Sequence, residues 1–107
     1  MTKVEFFTQE DRITGFCVSG HSGYGEEGTD IVCAAVSTAV QMAEATLNDV
    51  LGVRAKTRVN ADEARVTLTL PAASEEEDAA QAVLAGMMIT LCDLRDEYPD
   101  YIEVLEV

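Results

Sequence analysis

The spacing of hydrophobic side chains divides the sequence into short strands and two helices. β-Branched and aromatic runs at residues 3–7 and 13–19, separated by a polar segment, predict a hairpin of two antiparallel strands. Polar and apolar residues alternate at positions 55–60 and 64–70, which predicts a second hairpin. A final apolar run at residues 102–107 predicts a closing strand.

A first helix is predicted after Asp30, the expected N-cap, because apolar residues then recur at three- and four-residue spacing. A second apolar stripe widens that face, so a largely buried helix is expected. Gly52 is expected to end it. The first stripe is Val32, Val36, Val40, Ala43 and Leu47, and the second is Ala35, Ala39 and Met42.

A second, longer helix is predicted from the acidic segment at residues 75–78. Ser74 stands three residues before Glu77, which is the spacing of a capping box, and the acids suit the positive end of a helix dipole. The helix must end by Tyr98, because Pro99 disfavours helical backbone there. Its expected core stripe is Ala80, Leu84, Met87, Met88, Leu91 and Leu94.

The predicted element order is ββαββαβ. This order favours a two-layer α/β domain with a mostly antiparallel sheet and both helices on one face. A chain of 107 residues is expected to form a single domain over residues 1–107, since no linker or repeat divides it.

Charge restricts the classes of partner. The chain has 7 basic and 20 acidic side chains and a net charge of −13, which argues against a nucleic-acid backbone and an anionic membrane surface. No segment approaches the roughly 18 apolar residues of a membrane span. A small molecule, a neutral peptide or a basic protein remains open, and only the last would gain from long-range attraction.

Three cysteines, Cys17, Cys33 and Cys92, give an odd number without a Cys-x-x-Cys pair. The first residues lack the apolar stretch of a signal peptide. A reducing cytoplasm is therefore the expected compartment.

Candidate chemistry centres on the sole histidine, His21, and on Cys33 in the first turn of the first predicted helix. A thiol at that position sees the positive end of the helix dipole, which favours the thiolate. The intervening segment is rich in glycine and typical of a loop that could bring the imidazole over the helix start. An imidazole within reach of a thiol is the arrangement of nucleophilic acyl transfer.

Alternatives remain open for these residues. Cys33 can be a small core residue, because buried cysteines are common, and a lone histidine in a loop is usually solvated. Asp30 can act only as a helix cap or can also orient His21. Ser37 lies one helical turn after Cys33 and can line the site or bond its own helix backbone.

Two further site chemistries fit less well. A zinc site from Cys17, His21, Cys33 and Cys92 lacks the close spacing of structural zinc sites. A phosphate-binding loop lacks the Gly-Lys-Ser/Thr ending and carries acids that repel phosphate. No metal and no cofactor are therefore expected.

The segment at residues 20–37, GHSGYGEEGTDIVCAAVS, closely resembles the signature of the ribosomal-processing cysteine protease (Prp, YsxB-like) family. The resemblance extends over the whole chain in size and element order. It implies a cysteine endopeptidase in which His21 matches the catalytic base and Cys33 the nucleophile. Asp30 matches the family's aspartate, and Gly20, Asp30 and Ser37 are the candidates for binding or positioning the substrate.

The same resemblance implies a substrate and an assembly. The expected reaction removes an N-terminal extension from the large-subunit ribosomal protein numbered twenty-seven, after an aromatic residue. The expected partners are this precursor and a second copy of the chain in a homodimer, with no direct nucleic-acid or membrane contact. A non-catalytic ribosomal-protein-binding or ribosome-assembly factor with the same fold is the alternative.

Overall fold

Two hairpins and a C-terminal strand form one sheet, against which two helices pack. The computed structural model describes residues 1–21 and 30–107, so the predicted glycine-rich loop lies almost entirely outside the described residues. The elements are β1 (Thr2–Gln9), β2 (Arg12–Ser19), α1 (Ile31–Ala45), β3 (Lys56–Asn60), β4 (Arg65–Thr69), α2 (Glu77–Glu97) and β5 (Ile102–Glu106).

The five strands are ordered β3-β4-β2-β1-β5. Both hairpins and the β2–β4 pair are antiparallel, whereas β1 and β5 run parallel at one edge. The predicted order ββαββαβ and the mostly antiparallel sheet are thereby confirmed. β1 therefore lies between β2 and β5. The first residues of β1 pair with the last residues of β2, at one end of the sheet.

One face of the sheet carries the hydrophobic core. Successive side chains of a strand point to opposite faces, and in β1 and β2 the core side chains are Val4, Phe6, Ile13 and Phe16, all buried. The rings of Phe6 and Phe16 pack with centroids 6.1 Å apart. We call the other side, away from the helices, the open face of the sheet.

Helix α1 buries a narrower face than the sequence predicts. Val32, Val36, Ala43 and Leu47 are buried as expected. Ala35 and Met42 of the second stripe are exposed, Met42 to 53%, so the expectation of a largely buried helix is wrong. The second stripe instead lines a solvent-open groove between α1 and α2.

A π-helical turn at Thr46–Val50 extends α1 and sets the path into β3. The Asn48 side chain accepts from the backbone N–H of Ala55 at 2.7 Å and donates to its carbonyl at 3.1 Å. Gly52 follows with φ +67°, as expected for a glycine that ends a helix.

The helical stretch Ile31–Val50 is long and apolar enough, by length and composition, to cross a membrane. This differs from the expectation that no segment approaches a membrane span. In the fold, the same stretch contributes Val32, Val36 and Leu47 to the core against the sheet, whereas Ile31, Met42 and Val50 are exposed.

Helix α2 begins at Glu77, and the predicted capping box does not form. The Ser74 hydroxyl accepts from the N–H of Glu76 at 3.1 Å, two residues away rather than three. The Glu77 carboxylate pairs with Arg12 of β2, whose Nε lies 2.5 Å from Oε2. A contact across the chain therefore replaces the local cap.

Candidate active site

The start of α1 lies over the end of the sheet where β1 begins. Asp30 caps the helix, since its Oδ1 accepts from the N–H groups of Val32 and Cys33, each at 3.0 Å. The predicted N-cap is thereby confirmed. Cys33 consequently occupies the first helical turn, at the positive end of the helix dipole.

The Cys33 sulfur contacts Thr2, the first residue of β1. The Thr2 Oγ1 and Cys33 Sγ lie 3.8 Å apart, a hydrogen bond in which either atom can donate. Thr2 is only 2% exposed. The contact joins the helix that carries the thiol to the first residue of β1, at one end of the sheet.

Gly20 brings the chain that carries His21 to the same strand end. Its φ is +82°, and a Cβ built there would lie 2.7 Å from the Met1 carbonyl oxygen and 4.0 Å from the Thr2 Cα. Its N–H donates to the Ala64 carbonyl at 3.1 Å. Only glycine combines this backbone conformation with so close an approach.

His21 is exposed and follows Gly20 directly. Gly20, which precedes His21, adjoins Thr2, and so does the thiol of Cys33. The structure therefore places the two predicted reactive residues at one end of the sheet. A thiol at a helix start and an exposed imidazole in this arrangement can perform acyl transfer.

The other predicted residues take distinct places. Ser37 is exposed on α1, one turn beyond Cys33, and lines a groove between α1 and the sheet. Asp30 is held by its capping role toward two backbone N–H groups. Thr2 was not predicted, and no sequence pattern marks it, because only the fold brings it against Cys33.

The alternative zinc ligands do not converge. Cys17 lies on the open face of the sheet, where its sulfur accepts from the Thr67 hydroxyl at 3.5 Å, whereas Cys33 lies in the helical layer. The sheet therefore separates the two sulfurs. Within residues 1–21 and 30–107, no group of three or more His, Cys, Asp or Glu side chains is arranged to hold a metal ion.

Comparison with known families decides the class of this site. A family model described as cysteine protease Prp matches residues 1–103. The chain belongs to the cysteine protease Prp family. The resemblance read from residues 20–37 is thus confirmed, and the activity of the chain is that of a cysteine protease.

Members of the Prp family with curated names and solved structures agree with this assignment. The ribosomal processing cysteine protease Prp of Staphylococcus aureus is 27% identical over 96 residues, covering 89% of this chain and 88% of that protein. The crystal structure of the S. aureus Prp with a covalently linked product peptide superimposes with a TM-score of 0.90 at 22% identity, with both chains covered to 100%. Its complex with a substrate peptide gives a TM-score of 0.85 at 21% identity. These structures show that the fold is shared.

Proposed function

We propose that the chain is an endopeptidase that removes the N-terminal extension of large-subunit ribosomal protein twenty-seven, with Cys33 as nucleophile and His21 as general base and acid. The observation that carries the proposal is the meeting of Cys33 and the Gly20–His21 segment at Thr2. The membership in a family of cysteine proteases supports it, as does the ribosomal processing role in the name of the S. aureus relative.

The proposed reaction uses two proton transfers by one imidazole. His21 takes the thiol proton of Cys33, and the thiolate attacks the scissile carbonyl. The protonated imidazole then donates that proton to the leaving amine, which leaves a thioester on Cys33. Water, deprotonated by His21, hydrolyses the thioester and restores the thiol.

The remaining predicted site residues position this pair. Asp30 ties down the amides of the first turn, so the Cys33 backbone is fixed before substrate arrives. Gly20 sets the direction in which the chain leaves β2 toward His21. Ser37 lies beside the path that a peptide would follow along α1.

The proposed setting is the cytoplasm, with a homodimer as the assembly. Three cysteines that form no disulfide suit a reducing compartment. The groove between α1 and α2, whose lining is uncharged and includes the exposed Met42, offers a surface on which copies of an acidic chain can meet without repulsion. The net charge of −13 favours a cationic protein substrate over direct contact with nucleic acid.

Peptide cleavage tests the proposal. A peptide spanning the cleavage motif of the extended ribosomal protein is incubated with the wild-type chain, Cys33→Ala and His21→Ala, and products are identified by mass spectrometry. We expect cleavage by the wild-type chain alone. Equal cleavage by Cys33→Ala would refute the dyad, and tight binding of the precursor without any cleavage would favour a non-catalytic binding factor.

A further inference from the structure

A groove lies between α1 and the strands that α1 leaves uncovered. Its volume is about 250 Å³. Five valines form most of its surface, and we call it the valine groove: Val18, Val36, Val40, Val59 and Val66. The polar residues Ser37, Gln41, Glu44 and Thr57 complete its lining.

The strand register explains why valines meet here. Val18, Val66 and Val59 are paired in one row across β2, β4 and β3, so their side chains stand on the helix face of the sheet. Helix α1 covers the row at β2 but not at the sheet edge, where Val59 is 71% exposed. A row of apolar side chains is therefore left partly open to solvent beside the helix.

The lining of the groove follows α1 from the turn after Cys33 to Glu44. Glu44, two turns further along α1, accepts a hydrogen bond from the Thr57 hydroxyl of β3 and joins helix to strand. Val36 and Ser37 stand three and four residues after Cys33, which corresponds to about 4.5 to 6 Å along the helix axis. The valine groove thus extends from the first turn beyond the nucleophile to the Glu44–Thr57 bridge.

We propose that the valine groove is the specificity pocket, and that it receives the large apolar side chain of the substrate residue next to the scissile bond. The inference rests on the proposed function. Its volume exceeds the roughly 150 Å³ of an apolar protein cavity that accommodates benzene, so one aromatic or large aliphatic side chain fits. The carboxylate of Glu44, at the end of the groove away from Cys33, also suits a substrate of positive charge.

Two equally exposed valines allow a matched test. Val59 lies in the valine groove at 71% exposure, whereas Val50 lies outside it in the π-helical turn at 75% exposure. Phenylalanine at either position adds the same bulk without entering the core. Val59→Phe therefore fills the groove, and Val50→Phe controls for the substitution itself.

The measurement is kcat/KM for two peptides that share one sequence and differ in the residue before the cleaved bond, phenylalanine or alanine. Because the phenylalanine peptide needs the groove, we expect Val59→Phe to lower its preference over the alanine peptide at least tenfold. Val50→Phe should leave the preference unchanged. An unchanged preference in Val59→Phe, with cleavage intact, would overturn the pocket while the protease assignment stands.

A binding readout that does not depend on catalysis separates the two proposals. Cys33→Ala protein with labelled valine methyl groups is titrated with N-acetyl-phenylalaninamide and, as control, N-acetylglycinamide. We expect saturable methyl shifts at Val36, Val40, Val59 and Val66 with the phenylalanine probe only. These shifts without cleavage by the wild-type chain would uphold the groove and refute the proposed function, whereas shifts absent from these valines would refute the groove.

Discussion

At the scale of single residues, the sequence marks the proposed reactive groups but not the residues that contact them. His21 and Cys33 are candidates by residue type and spacing, and the family resemblance of residues 20–37 selects them, whereas Asp30 follows from its place before an apolar stripe. Thr2 carries no such signal, because a threonine at the start of a strand is common and its contact with Cys33 bridges 31 positions of the chain. Its role has to be tested by substitution.

Thr2→Val keeps the shape of the side chain and removes the hydroxyl beside the Cys33 sulfur. A hydroxyl that donates to the thiolate stabilises it by about 1 kcal/mol. We therefore expect Cys33 to react about fivefold more slowly with iodoacetamide at neutral pH, and kcat to fall similarly. Thr69→Val, at an exposed strand position, is the control. Equal alkylation rates in the wild-type chain and Thr2→Val would show that the contact is structural only.

Substitutions at Gly20 and Gly52 distinguish the effect of backbone strain from the effect of positioning His21. Both have positive φ, +82° and +67°, but a Cβ at Gly20 meets the Met1 carbonyl whereas one at Gly52 meets nothing within 4 Å. Alanine at either position should cost about 1 kcal/mol in the free energy of unfolding because of the φ angle. Only Gly20→Ala should also lower kcat/KM, by at least about tenfold, because it displaces His21. Loss of activity in both variants would point to general destabilisation instead.

At the scale of elements, periodicity predicts the helices and strands well. It fails where contacts between distant parts of the chain decide the local structure. The hairpins and the Asp30 cap depend on neighbouring residues, so the sequence reveals them. The start of α2 does not depend on neighbouring residues alone, because Glu77 pairs with Arg12, 65 positions away, and not with its own helix end. The exposure of Ala35 and Met42 does not depend on neighbouring residues either, because it is decided by the spacing between α1 and α2.

The start of α2 gives a prediction for stability against pH. The hydrogen bond from Arg12 holds the pKa of Glu77 below its usual value of 4.5. A lowered pKa in the folded state means that the pair stabilises the fold above pH 4.5 and loses this effect as the pH falls through the folded-state pKa. Glu77→Gln should therefore lower the free energy of unfolding by up to about 1 kcal/mol at pH 7.

Urea unfolding at pH 7 and near pH 3 measures the effect of this pair. The difference between the wild-type chain and Glu77→Gln should shrink as the pH falls. Glu75→Gln serves as the control, because Glu75 is exposed and lies before the helix. A difference that stays constant with pH would mean that the pair acts through packing and not through charge.

At the scale of the whole molecule, the fold places many basic and acidic side chains on different sides, which the net charge alone does not reveal. Four of the 7 basic residues stand on the open face of the sheet, at Lys3, Lys56, Arg58 and Arg65. The runs of acids lie elsewhere, at the start of α2 and around its end. The strong net negative charge is therefore concentrated on the helical side of the molecule, which also carries Cys33.

This separation allows the acidity to be tested as a device that attracts the substrate. Attraction between a cationic precursor and the helical side acts over distance and is screened by salt, with a Debye length of about 10 Å at 0.1 M and about 3 Å at 1 M. We expect kcat/KM for the full-length precursor to fall several-fold over this range, and kcat/KM for a short neutral peptide to change less than about twofold. The neutral peptide controls for effects of salt on the enzyme itself.

Variants that remove acidic charges locate the part of the molecule that attracts the precursor. Combined Glu75→Gln and Glu76→Gln substitutions remove two exposed charges from the helical side without touching the residues around Cys33. Because fewer charges then attract the precursor, its salt dependence should weaken while cleavage of the neutral peptide stays at the wild-type rate. Glu5→Gln and Glu103→Gln, on the open face, remove the same charge and should have the smaller effect. Parallel salt responses of precursor and neutral peptide would instead show that the acidity serves solubility alone, since attraction over distance cannot affect both substrates alike.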